Sequence, residues 1–566
     1  MKILGISHPV SLNPAAALII DGQLVAFAEE ERFNRIKHSP NQSAYQSIDY
    51  CLKEGQVSLD EIDYIGIGSD NYLKILRSNL FPKTFSLLKN MFSPKKTKIK
   101  IKLSGMTSTT YGIVKPFLYC YQGLLKLPFN WREKRVKFIR HHLAHIASTF
   151  YSSGMESACI ISVDGSGGQE AGILAIGNKE KINVLKRIPL GDSLGFLYGT
   201  ITEFLGFDSA DGEGKVMGLS SYADKNVDIL PFVDFKDGFM RIDKNKMINY
   251  LNQISKKLSK DPLDKPNRNI AGSLQKTLEK AYVYMARFLY EQSSITNFCL
   301  TGGVSLNCLA NTQVLSQPFV KNIYIQPASN DAGTALGAAL AVYADILGKR
   351  PDFILNHAYW GPAFSEDQIF KVIKKANLPF YKKEKNIEKR VAKLLSDGKI
   401  IGWFQGRMEI GPRALGNRSI LANPSRENMK DLLNLKVKGR EAWRPFAPSI
   451  LQEHAKDYLV DTPDSPFMIL SSRVYEEKQQ SICATLHIDK TVRPQTVSKG
   501  VNLRYWNLIN EFYKITNIPA LLNTSFNLAG EPIVCTPQDA ISAYFRTDMD
   551  YLVLGEYIIS KNPLTF

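Results

Sequence analysis

Short apolar runs bounded by turn residues open the chain. Lys2 to Ser7 (KILGIS), Ala16 to Ile20 (AALII) and Leu24 to Glu30 (LVAFAEE) each predict a strand, and Asp21-Gly22 between the last two is a two-residue hairpin signal. The chain therefore begins as an antiparallel meander. The pattern returns over residues 158–177, ACIISVDGSGGQEAGILAIG, where an apolar strand, an Asp-Gly turn and a second strand follow one another. Two such units predict an internal duplication. Asn41 to Glu54 and His142 to Tyr151 repeat apolar residues at helical spacing, and Ile62 to Ile67 reads as a buried strand, so helices and strands alternate. Further on, FCLTGGVSLN (298–307) is a strand entering a Gly pair, and DAGTALGAALAVYADIL (331–347) is a small-residue helix able to lie close on a sheet. Pro351 to Pro362 is the best linker candidate. Beyond it, Ile400 to Phe404, Ala520 to Leu522 and Tyr551 to Leu554 predict strands of a second α/β unit of about 200 residues. The expected division is 1–352, a linker at 353–362, and 363–566.

With 566 residues, 44% hydrophobic, 22% charged and no low-complexity tract, the chain suits more than one globular unit and excludes disorder, collagen and coiled coil as its main state. No apolar run approaches the roughly 20 residues that span a bilayer, and MKILGISHPV reads as a first strand, not an export signal. Seven scattered cysteines without C-x-x-C spacing suit a reducing, cytoplasmic setting. The net charge of +17 is local: from Pro82 to Arg140, 14 lysines and arginines face a single acid, Glu133. That stretch interleaves its cations with aromatic residues. It reads as an insertion that is a lid over an anionic acceptor, a patch resting on acidic lipid as a peripheral membrane contact, or plain solvated surface.

The segment HHLAH puts His141 and His145 four residues apart, so on a helix both imidazoles leave one face and can converge on one ion. His142 points elsewhere and reads as a supporting or core residue. Asp164 ends a strand in an Asp-Gly turn, and Asp331 sits in the small-residue turn NDAG. Two imidazoles with up to two carboxylates suit a non-haem Fe(II) or Zn ion with positions left open. TGGVSLN offers Gly302 and Gly303 for close backbone approach to a phosphate or nucleotide, with Asn307 as a polar contact, and GEGKVMGLSSYA adds Lys215, a compact cation. EEERFNRIKH packs Glu29, Glu30, Glu31, Arg32, Arg35 and Lys37 into ten residues and reads as a solvated face. In the second unit GRMEIGPRALGNRS holds Arg407, Arg413 and Arg418 on a Gly/Pro-shaped loop, and VKGREAWRPFAPS adds Lys438, Arg440 and Arg444. Such a cluster predicts a polyanion pocket, because partly desolvated arginines are costly until an anion fills the space between them. NTSFN supplies Asn523 and Ser525, and Arg493 can join them.

On these motifs the chain resembles the ATP-dependent O-carbamoyltransferases of the NodU/CmcH type. The resemblance is nearly full length and rests, in order, on AFAEEERFNRIKH, HHLAHIAS, VDGSGG, EGKVMGLSSYA, LTGGVSLNC, NDAGTALGAAL, GRMEIGPRALGNRSIL, REAWRPFAPS and LLNTSFNLAGEPIVCTP. It implies an α/β chain: a duplicated N-terminal domain on the actin-like ATPase (ASKHA) fold, similar to the tRNA threonylcarbamoyl-transferring proteins, and a C-terminal YrdC-like α/β domain. It also implies that carbamoyl phosphate and ATP, with Mg²⁺, yield a carbamoyl-adenylate in the C-terminal domain. A hydroxyl of a sugar, nucleotide-sugar or natural product would then attack it in the N-terminal domain. There His141, His145, Asp164 and Asp331 would hold Fe(II), with zinc or manganese as alternatives. Lys438, Arg440, Arg444, Arg413 and Arg418 would hold carbamoyl phosphate and the ATP phosphates, Asn523 and Ser525 would lie near the adenylate, and Lys37 and Lys215 would join the catalytic set. One motif departs. Where the family commonly reads HDSSAAL, this chain has LNPAAAL, with Leu12 and Asn13 in place of the His-Asp pair, and His8 is the candidate replacement base. Competing readings are a tRNA threonylcarbamoyl-type transferase, a sugar-kinase-like ATPase and a non-catalytic nucleotide-binding scaffold. The fused second domain with GPRALGNRS and NTSFN argues for a small-molecule acceptor and against nucleic acid as the partner. A homo-oligomer is compatible with the sequence.

Overall fold

The computed structural model describes residues 1–8, 12–70, 123–124, 126–378, 380–460 and 463–563. Most of the basic stretch, residues 82–122 and 125, lies outside the described residues, and so do the lid and lipid readings of it.

Two five-stranded sheets repeat one plan. In the first, β1 (Lys2–Ile6), β2 (Ala15–Ile20) and β3 (Gln23–Glu29) form an antiparallel meander. β4 (Tyr64–Ile67) and β5 (Val136–Phe138) extend it in parallel from β1, giving the order β3-β2-β1-β4-β5. In the second, β6 (Ser157–Gly167), β7 (Glu170–Asn178) and β8 (Lys181–Pro189) make the meander. A separate hairpin of β9 (Val233–Lys236) and β10 (Phe239–Ile242) follows. β11 (Asn297–Thr301) and β12 (Asn322–Ile325) then run parallel to β6, giving β12-β11-β6-β7-β8. The duplication expected from the sequence is present as a repeated strand order.

The two Asp-Gly pairs play different parts. Asp21 and Gly22 both take positive φ, 51° and 83°, and turn the β2–β3 hairpin. Asp164-Gly165 does not turn its hairpin, contrary to the expectation: β6 runs on through it to Gly167, and the chain reverses after Gly168, where φ is +73°. The register slips between Val163 and Gly167, and this bulge re-aims Asp164 out of the ladder.

The small-residue helix Gly333–Leu347 lies against β1 and against the helix His141–Phe150. The approach is too close for side chains. A Cβ on Gly337 would fall 1.7 Å from the Ala144 carbonyl oxygen, and one on Gly5 would fall 1.9 Å from that of Ala335. Ile146, Phe150, Ile160, Leu174, Phe298, Leu300, Leu336 and Leu340 pack in the core that fixes these elements.

The third sheet has eight strands: β13 (Phe380–Lys383), β14 (Ile401–Phe404), β15 (Arg418–Ala422), β16 (Ala447–Leu451), β19 (Gln495–Val497), β20 (Ala520–Ser525), β21 (Tyr551–Leu554) and β22 (Tyr557–Ser560). A short ribbon of β17 (Ser472–Arg473) and β18 (Thr491–Val492) stands beside it. The order is β13-β22-β21-β14-β15-β20-β16-β19, with parallel and antiparallel pairs mixed. Helices Ile387–Ser396 and Leu503–Thr516 share one apolar cluster with the sheet, and Glu366–Lys375 and Pro537–Phe545 share another. Among the described residues no helix is long and apolar enough to cross a membrane.

The charge run Glu29 to Arg32 is interior, which corrects the expectation of a solvated face: these four residues are between 2% and 7% exposed. Burial is tolerated because backbone groups answer the charges. Glu30 accepts from the amides of Gln46 and Ser47, Glu31 from that of His38, and Glu29 from that of Gly411.

Candidate functional site

The helical spacing in HHLAH does what it predicts. His141 and His145 lie one turn apart on one face, with their Nε2 atoms 3.1 Å from each other. The β6 bulge brings Asp164 Oδ2 to 3.3 Å from His145 Nε2. Asp331, in the turn ahead of the helix Gly333–Leu347, puts Oδ1 3.6 Å from His141 Nε2 and 3.8 Å from His145 Nε2. One ligand atom from each of these four residues lies within 4.8 Å of all the others. Backbone amides hold Asp164 in place: Gly165 donates to Oδ1 at 2.7 Å and Gly303 to Oδ2 at 3.1 Å. His142 points away and bonds Ser162 and the Glu170 carbonyl.

The charges in this group balance internally. Burial works against a charged His145, but hydrogen bonds and attraction from Asp164 and Asp331 outweigh it and lift its pKa to about 9. Burial also opposes the Asp164 carboxylate, yet His145 holds its pKa well below the ordinary value. His8 stands near His141; burial first, then that neighbour's charge, pushes its pKa down to about 3, so it is a neutral imidazole.

His141, Asp164 and Asp331 line a cavity of about 1590 Å³, with His145 fully buried behind them, and the same cavity is lined elsewhere by cations. Arg413, Lys438, Arg440, Arg444 and Arg493 all line it, as do Asn523 and Ser525. Burial, then the neighbouring arginines, pushes Arg413 and Arg440 down to about 9. Burial also lowers Arg444 and Arg493. Arg493 makes no hydrogen bond or ion pair among the described residues, and the Arg413 Nε is buried without a partner. Lys438 differs from them. Its Nζ donates to the carbonyls of Ser525 and Asn527 and to Asn527 Oδ1 at 2.6–2.9 Å, so it shapes the NTSFN loop, and burial, then Arg440 and Arg444, push its pKa well down. Asn523 gives its amide hydrogens to Ala414, Ser449 and Gln495.

Three predicted residues do not face the cavity. Arg418 is fully buried and donates to the carbonyls of Gln405, Gly406, Asn417 and Pro362, with its guanidinium 3.6 Å from the Phe404 ring centroid; β15 turns it into the core. Arg407 ties the seam between the units, donating to Val25, Tyr50 and Trp360. Gly302 is wedged against Val163, where a Cβ would fall 2.1 Å from the carbonyl oxygen, while Gly303 lines the cavity and commits its amide to Asp164. Asn307 lines the cavity too, and its side chain caps the helix Cys308–Leu315.

Residues 2–340 match the family model "Carbamoyltransferase N-terminus" and residues 392–561 match "Carbamoyltransferase C-terminus". The chain belongs to the carbamoyltransferase family. It is 37% identical to "Nodulation protein NolNO" of Sinorhizobium fredii over 97% of this chain and 78% of that one. It is 35% identical to an uncharacterized protein of Synechocystis sp. over 99% and 96%, and 38% identical to "Nodulation protein NolO" of Bradyrhizobium diazoefficiens over 75% and 79%. Among solved structures, HypF of T. kodakarensis overlays 61% of this chain and 48% of its own with a TM-score of 0.36 at 12% identity, too loose to carry an argument.

As a carbamoyltransferase, the chain also places side chains at this cavity that the sequence reading passed over. Asp211 bonds both Lys37, at 2.5 Å, and His38, at 2.9 Å. Glu441 pairs with Lys215 at 3.1 Å across the two units. The signal for Asp211 was its place four residues before Lys215. Glu441 sits between two arginines in GREAWR, and nothing local marks it.

Proposed function

We propose that this chain is an O-carbamoyltransferase that forms a carbamoyl-adenylate from carbamoyl phosphate and ATP at the cationic end of the cavity and passes the carbamoyl group to an acceptor hydroxyl at the His141 end. The observation that carries this reading is the single cavity shared by both sets of residues. Carbamoyl phosphate and ATP bring several negative charges together, and a set of buried arginines that outnumbers the one acid beside them, Glu441, supplies the rigid counter-charge this needs, with Mg²⁺ on the nucleotide. Water would first cleave carbamoyl phosphate to carbamate and inorganic phosphate; attack of a carbamate oxygen on the α-phosphate of ATP would then form the adenylate and release pyrophosphate. Sharing one cavity shields the hydrolysable adenylate from bulk water. We take residues 1–352 and 363–566 as the two domains, joined at 353–362.

The donor set at the other end fits a divalent metal. Two imidazole nitrogens and two carboxylate oxygens converge, second partners fix Asp164, and the proton that His145 keeps to about pH 9 marks where a cation is favoured. His141, His145, Asp164 and Asp331 would hold iron, zinc or manganese, and the ion would supply Lewis acidity toward the carbamoyl carbonyl or adenylate phosphate. His8, which lines the cavity beside this group, would take the acceptor hydroxyl's proton, and Lys37 and Lys215 are pinned at the wall by Asp211 and Glu441. The acceptor is a sugar, nucleotide-sugar or natural product.

Supplying carbamoyl phosphate and ATP and following the products tests the reading. Pyrophosphate is expected. ADP would mark a kinase, and a requirement for threonine and bicarbonate would mark the tRNA-modifying chemistry.

A further inference from the structure

The buried pair of Glu29 and Arg32 grips a single residue of the other unit. Glu29 Oε1 accepts from the Gly411 amide at 2.7 Å, and Arg32 Nη2 donates to the Gly411 carbonyl, also at 2.7 Å. Arg32 is held in turn by Glu29 and Glu31, each at 3.4 Å. Both polar backbone groups of Gly411 are thus fixed from the end of β3. The third side of Gly411 is also fixed: its φ is +85°, and a Cβ there would lie 2.4 Å from the Pro327 carbonyl oxygen. Gly411 stands two residues before Arg413, and Pro327 stands four before Asp331. A second tie runs beside the first, from Arg35 to the carbonyls of Pro532 and Ile533 at the cavity wall.

A buried ion pair is poor value as a source of stability, since desolvation offsets most of its attraction; register is the better-attested use. Here the register is between two loops, one carrying a cavity arginine and the other a carboxylate of the His/Asp group. We propose that Arg32 and Glu29 are positioning residues that lock the Arg413 loop onto the Asp331 loop and so keep the cavity closed around the activated carbamoyl group between its two ends. This rests on the two-ended reading above. Arg32 lines the cavity wall, but its guanidinium is taken up by Glu29, Glu31 and Gly411, so it acts through Gly411. Loosening the grip opens the seam between the units, so the intermediate escapes to water and is hydrolysed, while the groups that form it stay where they are.

The experiment needs no acceptor. Full-length protein is mixed with carbamoyl phosphate, ATP and Mg²⁺, and pyrophosphate and AMP are followed in time. Wild type is expected to give a burst of about one pyrophosphate per protein followed by a slow steady release of AMP. Arg32→Lys is expected to keep the burst and raise the steady rate relative to it at least tenfold; Arg32→Ala does the same or more. Arg35→Ala, which cuts only the lesser tie, gives a smaller rise and serves if Arg32 variants do not fold. Because the readout is a ratio of steady rate to burst, loss of folded protein does not move it. Unchanged ratios in the variants that fold overturn the proposal, as does a wild type that already leaks at the variants' rate. No pyrophosphate from wild type would instead sink the two-ended reading itself.

Discussion

At the His141 end of the cavity imidazoles and carboxylates answer one another: His145 is lifted to about 9 and Asp164 is held low because they lie 3.3 Å apart. At the Arg493 end nothing comparable answers the cations. Arg413, Arg440, Arg444 and Arg493 are all pushed down by burial, and the acid beside them, Glu441, is shared with Lys215. The first end is balanced by its own side chains, four of which bring a donor atom each within 4.8 Å of the others. The second is strained until an anion arrives. The contrast teaches that a basic cluster read from sequence has two meanings, and only the partners of each guanidinium separate them.

The sharpest way to break the contrast lies within one motif. Arg418→Ala leaves four carbonyl groups without their donor and is expected to lower stability by about 3–5 kcal/mol, read by chemical denaturation, with no change in the KM for carbamoyl phosphate of the protein that remains folded. If the KM moves and stability does not, Arg418 belongs to the anion site after all. Arg493→Met has the opposite signature: kcat/KM for pyrophosphate formation falls about 100-fold, the value of a bidentate charge-assisted contact near 3 kcal/mol, while denaturation in anion-free buffer shows no loss of stability.

The sequence made the first end legible and blurred the second for a physical reason. His141 and His145 are set by helical periodicity, and Asp164 and Asp331 by small-residue turns, all short-range signals. Arg413 and Arg418 are five residues apart in GPRALGNRS, yet which one faces inward depends on the pairing of β15 with β14, where Arg418 lies opposite Phe404. The run Glu29 to Arg32 misled for the same reason, since its partner Gly411 is about 380 residues away in the chain. The meander, the duplication and the Gly333–Leu347 helix were legible because alternation and small-residue spacing are local. The bulge that moved the second turn from Asp164-Gly165 to Gly168 was not.

Two smaller effects sharpen the comparison further. In metal-free protein His145 carries its proton at a pKa raised from the ordinary 6.5 to about 9. Its contribution to stability is therefore fully present below pH 6.5 and is lost as pH rises through about 9. A melting curve of chelator-treated protein should fall by a few degrees across that window. Affinity for added Zn²⁺ should rise over the same window because the ion displaces that proton; a flat profile for both would remove the compensation argument. At the other end, Arg413→Met should raise the melting temperature by about 1–2 °C in anion-free buffer by removing an unanswered charge. With phosphate or ATP present the order should reverse, because wild type gains ligand stabilisation that the variant loses. A variant that melts lower in both buffers would mean that Arg413 is already satisfied.

The division of labour between the ends is tested most directly by His145→Ala supplied with saturating carbamoyl phosphate, ATP and Mg²⁺, with pyrophosphate and carbamoylated acceptor measured in the same tube. Pyrophosphate release within about threefold of wild type, with transfer reduced on the order of 1,000-fold, is the expected result. Pyrophosphate and product falling together, in protein that is folded, would contradict it.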